Sequence, residues 1–85
     1  MEVKKINSDK NGVLHHVIYD DDTTHIVAQV YATHLPVLGW TKAVIDCKFD
    51  RRGSLSVELA VKYMLVLDMA VKVAKEVDSE HGISS

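Results

Sequence analysis

Cysteine, proline, phenylalanine and tryptophan each occur once in the 85 residues. A single cysteine rules out an internal disulfide, and with it an oxidised secreted scaffold, so a reducing, cytoplasmic setting is expected. Neither sign of charge dominates: ten Lys and Arg against twelve Asp and Glu leave a net charge of −2. A protein that holds nucleic acid by bulk electrostatics has a clear basic excess, so nucleic acid is not the expected partner. Long apolar runs are also missing. Lys62, Asp68 and Lys72 break up the best one, which rules out the ~18-residue stretch a membrane span needs. The opening Met1-Glu2-Val3-Lys4-Lys5 has charge where a secretory leader has its apolar core. There is no His-x-x-x-His pair, Cys-x-x-Cys knuckle or glycine-rich phosphate loop, so no cofactor is expected and an enzyme is disfavoured.

What is present is a globular balance, with 47% hydrophobic and 26% charged residues. The length suits one domain over residues 1–85 with one small core. Residues 2–6 suit a short edge strand. Asn7 to Gly12 is a cluster of turn formers whose Asn-Gly pair tolerates left-handed backbone. Residues 13–19 and 25–33 read as two strands around an acidic turn, Asp20-Asp21-Asp22-Thr23-Thr24. A five-residue loop there sets Ile18 against Ile26, His16 against Ala28 and Leu14 against Val30 on one face. The opposite face then carries His15, Val17, Tyr19, Val27 and Tyr31. His34 to Gly39 turns the chain. Residues 43–49 alternate again, with Ala43, Ile45, Cys47 and Phe49 on the inner side.

From about Leu55 to about Ser79 the pattern is that of a helix, capped by Ser54 or Ser56 and stopped near Gly82. Leu59, Tyr63, Val66, Ala70, Val73 and Val77 form one seam, and Ala60, Met64, Leu67, Val71 and Ala74 a second beside it. The fold expected is α+β: an antiparallel sheet of three to four strands with one long C-terminal helix packed across one face.

This arrangement has more apolar surface than it can hide. The helix's outer arc still shows Val57, Val61, Leu65 and Met69. The sheet's far face shows Val17, Tyr31, Val44 and Trp40. Exposed apolar patches beyond a few hundred Å² mark interaction sites. The sequence therefore points to a non-enzymatic, self-associating binding module, a homo-oligomer such as a dimer with a further protein partner, in the manner of a small accessory or inhibitory factor.

Two other chemistries are readable. Arg51 and Arg52, with Ser54 at a helix start, make a corner suited to a nucleotide or phosphate. His15 and His25 with Asp20 or Asp22 are the candidates for a metal or acid–base site, although their spacing matches no metal motif. His16 is expected to face inward, and Cys47 to serve as a small core hydrophobe.

Overall fold

A computed structural model describes residues 1–6, 11–48 and 54–82. Among the described residues five strands precede one helix: β1 (Glu2–Ile6), β2 (Gly12–Asp20), β3 (His25–Leu35), β4 (Gly39–Trp40), β5 (Val44–Cys47) and α1 (Val57–Glu80). All pairings are antiparallel. The curled sheet runs β1–β2–β3, and both β4 and β5 pair with the far side of β3. The α+β architecture read from the sequence is the one observed.

The centre of the sheet is organised by a tight turn. Asp21 accepts hydrogen bonds on Oδ1 from the backbone N–H of Thr23 (2.8 Å) and Thr24 (2.6 Å), and its own N–H donates to the Thr24 carbonyl (2.9 Å). An aspartate that binds the backbone ahead of it mimics a peptide turn. The loop is thereby closed over four residues rather than five, and Asp20 joins the ladder opposite His25. That one-residue change turns every side chain of β2 to the other face. Val17 lies opposite Ala28, His15 opposite Val30 and Val13 opposite Ala32, so these residues and Tyr19 meet the helix. Val17 is therefore 0% exposed and is not on the far face. His16 is not inward; it faces out and lies 3.3 Å (Nε2 to Nε2) from Gln29.

The β4–β5 edge is broken. Between His34 and Tyr31 the ladder advances three residues on β3 but four on the partner, from Trp40 to Val44. One extra residue is a bulge, and it reverses the alternation. Thr41 fills the break: its N–H and hydroxyl both donate to the Thr33 carbonyl (3.0 and 3.2 Å), and the hydroxyl accepts from Thr33 N–H (3.2 Å). Ala43 N–H leaves the sheet and donates to Asp78 of the helix (2.7 Å). For this reason β5 begins at Val44 and not at Ala43. Phe49, expected on this strand, lies outside the described residues.

The Asn7–Gly12 turn is likewise mostly outside them, but Gly12 opens β2. Its glycine requirement is one of space, since a Cβ there would lie 2.8 Å from the Ala32 carbonyl oxygen.

The helix begins where Ser56 Oγ accepts from Leu59 N–H (3.2 Å) and ends at His81, with Gly82 at φ +69° just beyond. Ser56, not Ser54, is the cap. At ~1.5 Å per residue its 24 residues reach about 36 Å across the sheet. Val66, Ala70, Val73 and Val77 are buried against Val17, Ile26, Ala28, Val30 and Ala32. Every buried side chain among the described residues is thus Val, Ala or Ile.

The register makes a direct prediction. Val17→Ala should lower the free energy of urea unfolding by about 2 kcal/mol, the loss of two buried methyl groups plus a cavity, while outward-facing Ile18→Ala should cost less than half as much. Equal losses would contradict the four-residue loop.

Candidate interaction surfaces

Besides the β3–β4 turn, where Val37 (93%), Leu38 (78%) and Leu35 are exposed, the described residues leave two broader apolar faces uncovered on opposite sides of the domain. The first is the outward arc of α1, directly opposite the stripe that meets the sheet. Val57 (81%), Met64 (67%), Val61, Leu65 and Val71 are exposed there. Met69 is not part of it; it sits on the helix flank and packs partly against the core. The second is the open face of the sheet, where Leu14, Ile18, Val27, Tyr31 and Val44 lie. Tyr31 and Val44, neighbours across β3 and β5, are its most exposed members. The His16–Gln29 pair divides this face, so its apolar surface is interrupted by polar groups.

Trp40 belongs to neither surface. The bulge brings it to the helix side, with its ring 3.8 Å (centroid to centroid) from His81 and in edge contact with His34 at 5.4 Å. His81 Nδ1 donates to the Val77 carbonyl (2.8 Å). The indole and imidazole thereby pin the end of the helix to the sheet.

The other end of the helix is tied by charge. Lys62 Nζ lies 2.9 Å from Asp21 Oδ2 and donates to Thr24 Oγ1 at 3.0 Å, and Tyr19 hydroxyl donates to the same carboxylate at 3.1 Å. Lys62 and the Thr23 N–H hold the Asp21 carboxyl well below the usual carboxylate range, and Asp21 in turn raises the Lys62 and Tyr19 pKa values. One side chain therefore closes the β2–β3 turn and anchors α1 to it. Nothing in the triple aspartate discloses which member does this, so the contact escapes sequence reading.

The histidine–aspartate candidates do not assemble. His25 pairs with Asp20 (3.4 Å) at the hairpin end, on the outer face. His15 is five ladder positions away, roughly 17 Å along the strand, and faces the helix. Its Nδ1 is buried without a hydrogen-bond partner, and burial followed by the nearby Lys5 lowers its pKa against the opposing pull of Glu80 and Glu76. Asp22 is exposed at the turn. Among the described residues no three His, Cys, Asp or Glu side chains gather closely enough to hold a metal ion. Cys47 packs partly against the core opposite Ala28, and burial together with Asp46 pushes its thiol pKa up.

Arg51 and Arg52 lie outside the described residues, and Ser54 is exposed. The recess at the helix start is bordered by Thr23, Thr24, Glu58 and Lys62, whose charge is already paired with Asp21.

No protein-family model matches the chain, and no curated protein or solved structure shows significant similarity to it.

Two pH-dependent outcomes follow. A carboxyl held below its ordinary value of 3.8 stabilises the fold fully above that pH, and the contribution is lost as pH falls below it. Asp21→Asn should therefore destabilise at neutral pH and flatten the steepest part of the acid unfolding curve, followed by circular dichroism. His15 has the matching sign: its lowered pKa makes the neutral form the native one, so stability falls as pH drops below 6.5. His15→Leu should raise stability, and by more at about pH 5.5 than at about pH 7.5. An equal gain at both would show that the imidazole titrates as it does in the unfolded chain.

Proposed function

We propose that the protein is a non-enzymatic binding module that works through protein–protein contact, with a second copy of the chain as one partner. The supporting observation is the amount of apolar surface left uncovered around a small core. The fully buried interior is Val, Ala and Ile, while Leu65, Met64, Tyr31 and several valines lie exposed on two faces, and Leu35, Val37 and Leu38 at the β3–β4 turn. A core of small residues returns little free energy; a domain of this length is expected to hold only about 4–13 kcal/mol in total. Covering one patch adds roughly 25 cal/mol per Å² before the entropy of association is subtracted. Association and folding are thus coupled for this chain, as in many small dimers. The surface that the second copy leaves bare is available to a different protein, which gives the module its accessory or inhibitory character.

Light scattering across the micromolar range tests the first half. A mass rising to twice 9.5 kDa is the expected result, together with a melting temperature that climbs with protein concentration. A monomer with a concentration-independent melting temperature throughout that range would overturn the proposal.

A further inference from the structure

Resting on that reading, the arrangement of charge along α1 says which patch the second copy covers and in what orientation. Val57, Val61, Met64, Asp68, Val71 and Lys75 are spaced alternately by four and three residues, the repeat that keeps one helix in register with another. All six are exposed and lie opposite the sheet-facing stripe. Beside this line run Glu58, Leu65 and Lys72, each seven residues from the next and each exposed. Leu65 is therefore equidistant from an acid and a base, about 10.5 Å along the axis from either.

A twofold axis beside Leu65 exploits that symmetry. Two antiparallel helices related by it bring Leu65 to its own copy and Glu58 level with Lys72 of the second copy, twice over. Val61 then lies within roughly 3 Å along the axis of Val71 of the second copy. A parallel pair does the reverse: it stacks Asp68 on Asp68 and Lys75 on Lys75, like charges at the centre of the seam. In the antiparallel pair the two Asp68 carboxylates are offset by roughly 9 Å along the axis, and each keeps Lys72 of its own helix at 3.4 Å. The open sheet face has polar groups across its middle. A copy seated there would bury the His16–Gln29 pair, and burying polar groups opposes association unless they are matched.

We propose that the protein dimerises through the outward arc of α1, antiparallel, with the dyad beside Leu65 and Glu58 of each copy facing Lys72 of the other. The interface is isologous and closed, so assembly stops at two. Its charged flanks set register and orientation while Val57, Val61, Met64, Leu65 and Val71 supply affinity.

The test uses single cysteines placed in a Cys47→Ala background of the full chain and a short thiol-to-thiol crosslinker. Leu65→Cys should crosslink to itself. Glu58→Cys alone should not, because the two copies of residue 58 lie roughly 21 Å apart along the axis, but Glu58→Cys mixed with Lys72→Cys should give a heterodimer. In parallel, Leu65→Asp should weaken dimerisation about a hundredfold, since it enters the interface twice and desolvates a charge. Glu58→Lys should weaken it about tenfold, and adding Lys72→Glu should restore it. Circular dichroism checks that each exposed-site variant is folded. Self-crosslinking of Glu58→Cys would show a parallel pair and overturn the orientation. A dimer that survives Leu65→Asp but dissociates with Tyr31→Asp would overturn the helix interface while leaving self-association standing. A monomeric parent protein would remove both.

Discussion

The carboxylate of Asp21 is the contact on which the rest of the fold depends. By accepting two backbone N–H groups it shortens the β2–β3 connection to four residues. Because side chains alternate along a strand, that length decides whether Val17 and Tyr19 or Leu14 and Ile18 meet the helix. Its second oxygen then receives Lys62 from the first half of α1, so the same group that fixes the sheet's register also positions the helix over it. The two decisions are coupled: a slipped hairpin would turn Tyr19 away and move the anchor for the helix.

The far end of α1 is held by different chemistry. Asp78 captures the N–H freed at Ala43 by the bulge, and His81 stacks on Trp40. With polar or aromatic ties at both ends, the middle of the helix needs only small aliphatic side chains to sit on the sheet. Ala28, Ala32 and Ala70 are accordingly among the buried residues between the two layers. Larger apolar residues such as Tyr19, Trp40, Leu59, Tyr63 and Met69 pack around this small centre and are only partly buried.

How much of this was legible depends on how many residues carried each signal. The helix has 24 residues of consistent periodicity, and its inner stripe from Leu59 to Val77 reads directly from spacing. The face of β3 was equally readable, because Ile26, Ala28, Val30 and Ala32 alternate against more polar neighbours. β2 was not, since both of its alternate sets are apolar: Val13, Val17 and Tyr19 compete with Leu14 and Ile18. Only loop length separates them, and three consecutive aspartates conceal which one closes the loop. Trp40 departs from its expected face for a related reason. Counting back from Ile45 by simple alternation puts it outside, and the extra residue that returns it to the helix side is invisible without the ladder. Met69 stands on the flank of the wheel, where the curl of the sheet decides its exposure. The metal-site candidates failed on distance, which sequence adjacency does not report.

The two outer rims of the sheet differ in kind, yet each is short. β1 presents five residues, among them Lys4 and Lys5, and β5 presents four before the kink at Thr41–Ala43 interrupts the run. Lysines and bulges at a rim are the usual obstacles to strand-on-strand addition. A chain with this much uncovered hydrocarbon would otherwise be prone to polymerise into extended β-ribbons. With its borders blunted, strand-on-strand addition along either described rim is opposed.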